Sequence, residues 1–83
     1  RLFGMRPMET FIEDFEAAVD DIESGSLSME TDFKALKSWD SLAILTVTDT
    51  VEFEYGVLLR KDDFTQSATL GALYRLIETK VGR

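Results

Sequence analysis

Between Asp40 and Gly56 the sequence reads DSLAILTVTDTVEFEYG, and this stretch predicts one complete helix. Asp40 is a typical N-cap residue, and Gly56 stands where helices commonly end in a left-handed residue. At 100° per residue, an arc of roughly 100° collects the side chains that we assign to the core. They are Ile44, Val47, Thr48, Val51 and Tyr55. A helix from about Ser41 to Tyr55 with one buried face is therefore expected.

A second stripe on the same helix combines apolar and acidic side chains. It comprises Leu42, Leu45, Thr46, Asp49, Glu52 and Phe53. Leu42 and Phe53 point away from the assigned core, and an apolar stripe that also carries acids is typical of a surface that binds a partner. The alternative is that the preceding loop covers Leu42 and Phe53.

Further helices are expected on both sides of this segment. Apolar residues recur every three or four positions over residues 7–22, which predicts a first helix there. A last helix is expected from its N-cap Thr69 to about Val81-Gly82, and residues 61–64 are expected to form a single helical turn. The expected core comprises Phe11, Phe15, Ile44, Val51, Leu59, Phe64, Leu73 and Ile77.

The stretch between the first two long helices is predicted to be a long loop, because it opens on Ser24-Gly25-Ser26-Leu27-Ser28 and stays irregular until Asp40. Large apolar residues are spaced through it, so we expect it to cover the core. They are Leu27, Phe33, Leu36 and Trp39. Trp39 is interpreted either as a residue packed over the core or as a partner contact. The fold class is thus all-α, a small four-helix bundle of three main helices and one short helix.

Composition excludes several function classes. The 83 residues suffice for one domain, and they include no Cys and no His. Disulfides, Cys-ligated zinc, a thiol nucleophile and a Ser-His-Asp triad are therefore excluded, and we expect no enzyme activity. An EF-hand beginning at Asp20 also fails, because its third and twelfth positions would be Ile22 and Thr31, and no metal site is expected.

The charge indicates the kind of partner. Nine Lys and Arg stand against sixteen Asp and Glu, for a formal net charge of −7. Nucleic acids and anionic lipids are bound first through basic residues, so basic protein surfaces are the expected partners. No apolar run approaches the roughly twenty residues of a membrane span. We expect a cytoplasmic monomer.

Ser41 is the residue best suited to carry a modification. It stands where the irregular loop meets the helix, so its hydroxyl should be exposed. There the unpaired backbone N–H groups and the positive end of the helix dipole would stabilise an attached anion such as a phosphodiester. Asp40 would cap the helix or help to hold a divalent ion while phosphate is delivered. The same residues are also an ordinary helix start, since Asp and Ser commonly begin helices.

Over residues 8–80 the sequence resembles the acyl carrier proteins. Asp40-Ser41-Leu42 resembles the family's Asp-Ser-Leu attachment motif. Residues 55–59, YGVLL, resemble the segment that closes the family's second helix, and Phe64 stands where its short third helix should be. Ala68-Thr69-Leu70 resembles the start of its fourth helix. The order and spacing of these pieces carry the resemblance.

The resemblance implies that Ser41, with Asp40 beside it, holds 4′-phosphopantetheine. The group is taken from coenzyme A by a phosphopantetheinyl transferase, and acyl intermediates ride on its thiol as thioesters. A carrier of this kind needs no His or Cys of its own. The implied partners are acyl-transferring or condensing enzymes of fatty-acid, polyketide or related acyl metabolism, with basic and apolar docking patches. The residues implied to contact them are Trp39, Leu42, Leu45, Thr46, Asp49, Glu52 and Phe53.

The chain departs from this resemblance along the docking stripe. Phe53 and Ala43 stand where carriers of primary fatty-acid synthesis often have acids, and Trp39 stands where many have a small residue. Docking should therefore be more apolar, and we expect a specialised carrier. Two alternatives stay open: an unmodified helical adaptor that binds a helix through Leu42 and Phe53, and a D-alanyl or aminoacyl carrier. Residues 1–4 are interpreted as a cleavage scar, a disordered tail or the trace of an excised domain, and residues 5–83 as the carrier domain.

Overall fold

The computed structural model describes residues 5–81, and their regular structure is helical. The elements are α1 (Met8–Ala18), a 3₁₀ turn (Phe33–Ala35), α2 (Ser41–Tyr55), α3 (Lys61–Gln66) and α4 (Leu70–Val81). Along this part of the chain there is no β-strand. Three main helices and one short helix confirm the expected fold class. The interpretation of residues 1–4 falls outside the described residues.

The first helix is shorter than its apolar periodicity predicts. α1 ends at Ala18, and Val19 has extended dihedrals of φ −112° and ψ 131°, so the predicted continuation to Ile22 is wrong. Asp21 then has a φ of 61°, a left-handed conformation that interrupts a right-handed helix. Val19 is nevertheless buried, because an extended residue can also place its side chain in the core.

A buried carboxylate shapes the start of the long loop. Glu16, on the last turns of α1, is only 5% exposed. Its carboxylate accepts hydrogen bonds from the backbone N–H of Gly25, at 3.0 and 3.1 Å, and of Leu27, at 3.1 Å. Gly25 has a φ of 84°, a region that glycine occupies without strain. Glu16 therefore folds the loop back along α1.

Aromatic side chains hold the end of the loop on the bundle. Phe33 is completely buried, and Leu27, Leu36 and Trp39 are partly buried against the core, which confirms that the loop covers it. The ring of Trp39 stacks on that of Phe15, with centroids 5.8 Å apart. It also meets the rings of Phe33 at 5.0 Å and Phe64 at 5.4 Å. Trp39 thus joins the loop to the core directly before the start of α2.

The core lies where α1 packs against α2 and α4, with α3 packed against α4. Seven of the eight expected core residues are buried, and Ile44 is half-buried at the edge. Ala43 is buried although the predicted arc omitted it. α3 extends two residues beyond the predicted turn at 61–64. Its first turn is fixed by buried Asp63, which accepts a hydrogen bond from the Arg60 N–H at 2.8 Å.

The C-terminal end of α2 is bound to the rest of the bundle by polar contacts. Tyr55 is 1% exposed, and its hydroxyl donates to the Asp14 carboxylate at 3.3 Å. Burial, together with the negative charge of Asp14, raises the pKa of Tyr55 well above its ordinary value. Arg6 forms ion pairs with Glu54 and with Asp14, and its carbonyl accepts a 2.6 Å hydrogen bond from Tyr74. The segment before α1 is thereby tied to α2 and α4.

Candidate functional site

Ser41 is the first residue of α2 and is exposed. Asp40 before it has extended dihedrals, and its carboxylate accepts a 2.9 Å hydrogen bond from the N–H of Ala43. The Asp40 side chain therefore supplies the cap, as predicted. Within residues 5–81 the Ser41 hydroxyl makes no hydrogen bond, so it is left available for reaction.

The first turn of α2 also leaves backbone donors next to this hydroxyl. The first bond inside the helix runs from the N–H of Ile44 to the carbonyl of Asp40, at 3.0 Å. The N–H groups of Ser41 and Leu42 precede that bond and are not used by the cap. Together with the positive end of the helix dipole, these N–H groups favour an anion attached at this position.

The second stripe of α2 is exposed along the helix. Its large apolar members are accessible: Leu42 is 59% exposed, Leu45 58% and Phe53 66%. The alternative in which the loop covers Leu42 and Phe53 is therefore wrong. Asp49 and Glu52 are also exposed, whereas Thr46 is half-buried and its hydroxyl donates to the Leu42 carbonyl at 2.8 Å. Apolar side chains and carboxylates thus share one accessible face.

One exposed apolar residue beyond this face was missed from the sequence. Leu58, in the segment after α2, is 54% exposed. Its neighbours Val57 and Leu59 are both buried. In an extended segment alternate side chains point in opposite directions, so the inward placement of these two neighbours was the available signal for Leu58.

In the structure, Asp40, Ser41 and Leu42 lie together at the N-terminal end of α2. The other residues predicted to contact partner enzymes lie further along the same helix. Trp39 is the exception, since its ring packs against the core aromatics, and its role as a partner contact stays a prediction. Nowhere in residues 5–81 do three or more metal-ligating side chains cluster. Across the same range, none of the helices has the length and apolar character needed to cross a bilayer.

Comparison with known proteins identifies the family. "Polyketide-8 synthase acyl carrier protein 2" of Streptomyces avermitilis is 31% identical to this chain over 71 residues, which cover 86% of the chain and 82% of the relative. The chain belongs to the acyl carrier protein family. Acyl carrier proteins are carriers and not catalysts, and they generally hold phosphopantetheine on a serine. No protein-family model matches the chain, and no solved structure is significantly similar to it.

The residues at the start of α2 fit the group that acyl carrier proteins hold. A phosphodiester needs an accessible hydroxyl for its ester bond, and Ser41 is exposed, with a hydroxyl that has no hydrogen-bond partner in the described part of the chain. It also needs donors for its charged oxygens, which the N–H groups of Ser41 and Leu42 can supply. The start of α2 can therefore supply both the hydroxyl for the ester bond and the N–H donors for the charged phosphate oxygens.

Proposed function

We propose that this protein carries acyl groups in polyketide synthesis on a 4′-phosphopantetheine arm attached to Ser41. The observation that carries the proposal is that Ser41, at the first position of α2, is exposed and that its hydroxyl makes no hydrogen bond among the described residues. Membership of the acyl carrier protein family supports the carrier role, and the name of the Streptomyces relative supports the pathway. When bound, the arm supplies the thiol on which the acyl group is held as a thioester.

Within this proposal, Asp40 and Ser41 have different roles at the start of α2. Asp40 satisfies the N–H of Ala43, so the Ser41 hydroxyl is not drawn into the cap and stays accessible to a phosphopantetheinyl transferase. The N–H groups of Ser41 and Leu42 then donate to the phosphodiester oxygens. Asp40 also helps to hold a divalent ion while phosphate is delivered.

The exposed face of α2 is the proposed docking surface for acyl-transferring or condensing enzymes. We define this docking surface as Leu42, Leu45, Thr46, Asp49, Glu52 and Phe53. Apolar side chains there would bury area against the partner, and the two carboxylates would meet basic residues and steer the encounter. Because only two of these six residues are acidic, we propose a specialised carrier that docks through more apolar contact than a fatty-acid carrier.

The test is to incubate the protein with coenzyme A, magnesium and a broad-specificity phosphopantetheinyl transferase and to measure its intact mass. The expected result is a gain of one phosphopantetheine. Ser41→Ala should abolish the gain. Ser24→Ala should retain it, because Ser24 is also exposed but lies in the loop, away from α2.

Two results would overturn the proposal. A folded wild-type protein that gains no mass would favour the unmodified helical adaptor that binds a helix through Leu42 and Phe53. A gain that persists in Ser41→Ala would place the arm on another residue.

A further inference from the structure

The indole group of Trp39 has a packed ring and an unbonded N–H. The ring contacts Phe15, Phe33 and Phe64, but the N–H donates no hydrogen bond to any of residues 5–81. Within that range, no buried side-chain nitrogen or oxygen lacks a hydrogen-bond partner. Because Trp39 is half-buried and its N–H has no partner, this N–H must reach the surface.

This accessible donor is close in the chain to the proposed attachment point. Trp39 stands two residues before Ser41, so their Cα atoms are at most about 7 Å apart. Asp40 lies between them, and its carboxylate is bonded to the N–H of Ala43 and not to the indole. An enzyme that brings its reactive groups to the Ser41 hydroxyl therefore also comes close to the end of the loop that carries Trp39.

We propose that the Trp39 N–H donates a hydrogen bond to a neutral carbonyl oxygen of the phosphopantetheinyl transferase when that enzyme docks on Ser41. This inference rests on the proposed function. The transferase is the partner that fits, because its catalytic groups must reach the Ser41 oxygen itself. A condensing enzyme takes the acyl group from the far end of the arm, so it can act without contacting Trp39.

The charges around Trp39 select a neutral acceptor. The residues before and after Trp39 both line one groove of the bundle. The charged side chains of that lining are three carboxylates and one ammonium group, from Asp20, Asp21, Asp40 and Lys37. Their summed charge is negative, so a carboxylate of the transferase would be repelled here. A carbonyl oxygen accepts the same hydrogen bond without a net charge.

The aromatic contacts hold the donor in one orientation. The indole stacks on the ring of Phe15, with the two planes 16° apart. Its centroid lies 5.0 Å from that of Phe33 and 5.4 Å from that of Phe64. A side chain that is already fixed by three neighbouring rings loses little conformational entropy when a partner binds it. Trp39 therefore combines packing on the core with a preorganised contact to the transferase.

The first experiment observes the indole N–H directly by NMR. Trp39 is the only tryptophan of the chain, so labelling with ¹⁵N-tryptophan gives a single indole resonance. In the free protein this proton should exchange rapidly after transfer to D₂O, and unlabelled transferase should shift the resonance and slow the exchange. An indole proton that is strongly protected in the free protein, or that is unaffected by the transferase, would overturn the proposal.

The second experiment removes the N–H and keeps the ring. Because the chain has one tryptophan, a tryptophan auxotroph can replace Trp39 with β-(3-benzothienyl)alanine, in which sulfur stands in place of the N–H. The KM of the transferase for this protein should rise about fivefold, with kcat nearly unchanged, because one neutral hydrogen bond to the enzyme is lost. The midpoint of thermal unfolding should not change, since the ring still packs on its aromatic neighbours.

The matched control is replacement of Trp39 with 5-fluorotryptophan, which keeps the N–H and should leave the KM unchanged. An unchanged KM for the benzothienylalanine protein would contradict the proposed hydrogen bond. An equal rise in KM for both replacements would also contradict it, because the effect would then come from the ring and not from the N–H.

Intact mass distinguishes this proposal from the proposed function. If the wild-type protein gains the arm and the benzothienylalanine protein has the same KM, the protein remains a carrier and only the contact is wrong. A wild-type protein that gains no arm overturns both.

Discussion

The two ends of α2 differ in burial and in hydrogen bonding. At the C-terminal end, Tyr55 is buried and bonded to Asp14, and left-handed Gly56 donates its N–H to the Glu52 carbonyl at 3.0 Å. At the N-terminal end, Ser41 and Leu42 are exposed, and the Asp40 carboxylate is the only side-chain cap seen among residues 5–81 for this helix. One end anchors the helix, and the other leaves a hydroxyl and an apolar surface accessible.

This difference predicts that stability and carrier function can be changed separately. Substitutions at the Tyr55 end should act on the free energy of unfolding. Substitutions at the Ser41 end should act on modification and docking, with small effects on stability, because exposed side chains outside caps and networks contribute little.

The largest expected effect is that of Tyr55→Ala. Removing a buried aromatic ring leaves a cavity and should lower the free energy of unfolding by about 3–5 kcal/mol. Ser41→Ala should change it by less than about 0.5 kcal/mol, since the Ser41 hydroxyl makes no bond among the described residues. Urea denaturation followed by circular dichroism measures both. Equal losses in the two variants would contradict the contrast between the ends.

The next effect concerns the docking surface. Phe53→Glu places an acid where carriers of fatty-acid synthesis often have one, and it should raise the condensation rate with a fatty-acid ketosynthase by about tenfold, equivalent to about 1.4 kcal/mol. Ala68→Glu adds the same charge at an exposed position outside the docking surface and should leave the rate unchanged.

The same assay tests whether the carrier is specialised. The wild-type protein should be slower with the fatty-acid ketosynthase than a housekeeping carrier is. Equal rates for the two carriers would show that the apolar docking surface does not select partners.

A smaller effect is expected for the cap. Asp40→Ala removes the acceptor for the Ala43 N–H and should cost about 1 kcal/mol of unfolding free energy, whereas Asp40→Asn should retain most of it because Asn caps equally well. If the carboxylate also helps to hold the divalent ion, Asp40→Asn should still slow attachment of the arm. Normal attachment kinetics in a stable Asp40→Asn protein would limit Asp40 to capping.

The smallest effect is a pH dependence at the anchored end. Burial and Asp14 raise the pKa of Tyr55 in the folded state, so the unfolded chain loses its proton first as pH rises. The stabilisation is complete below the ordinary tyrosine pKa near 10 and decreases above it. At pH 10 the loss is only about 0.4 kcal/mol. Tyr55→Phe should make unfolding less sensitive to pH above 10, and an unchanged profile would contradict the raised pKa.

The bounds of a helix could be predicted where residues at its own ends mark them. The bounds of α2 were predicted correctly because both ends carry local signals, the capping Asp40 and the left-handed Gly56. The end of α1 was missed because Val19 and Ile22 continue the helical period. The helix ends at Ala18 because Val19 is extended and Glu16 holds the following loop back along α1, and neither feature is visible in that period.

The candidate site was likewise predictable only in part. The exposure of Ser41 follows from its place after a capping residue, so it was predictable. The closeness of Ala17, Lys37 and Leu42 beside the start of α2 was not predictable, because three separate segments carry them and only the folded bundle brings them together. Leu58 was missed because its exposure depends on the direction in which successive side chains point in the irregular segment after α2.

The most direct measurement is to locate the arm by fragmentation of the modified protein in a mass spectrometer. Cleavage with trypsin after Lys37 and Arg60 gives a peptide that contains Ser38 and Ser41, so the fragments must separate the two serines. The expected result is one phosphopantetheine on Ser41, with Ser38 unmodified. An unmodified peptide, or an arm on Ser38, would contradict the account.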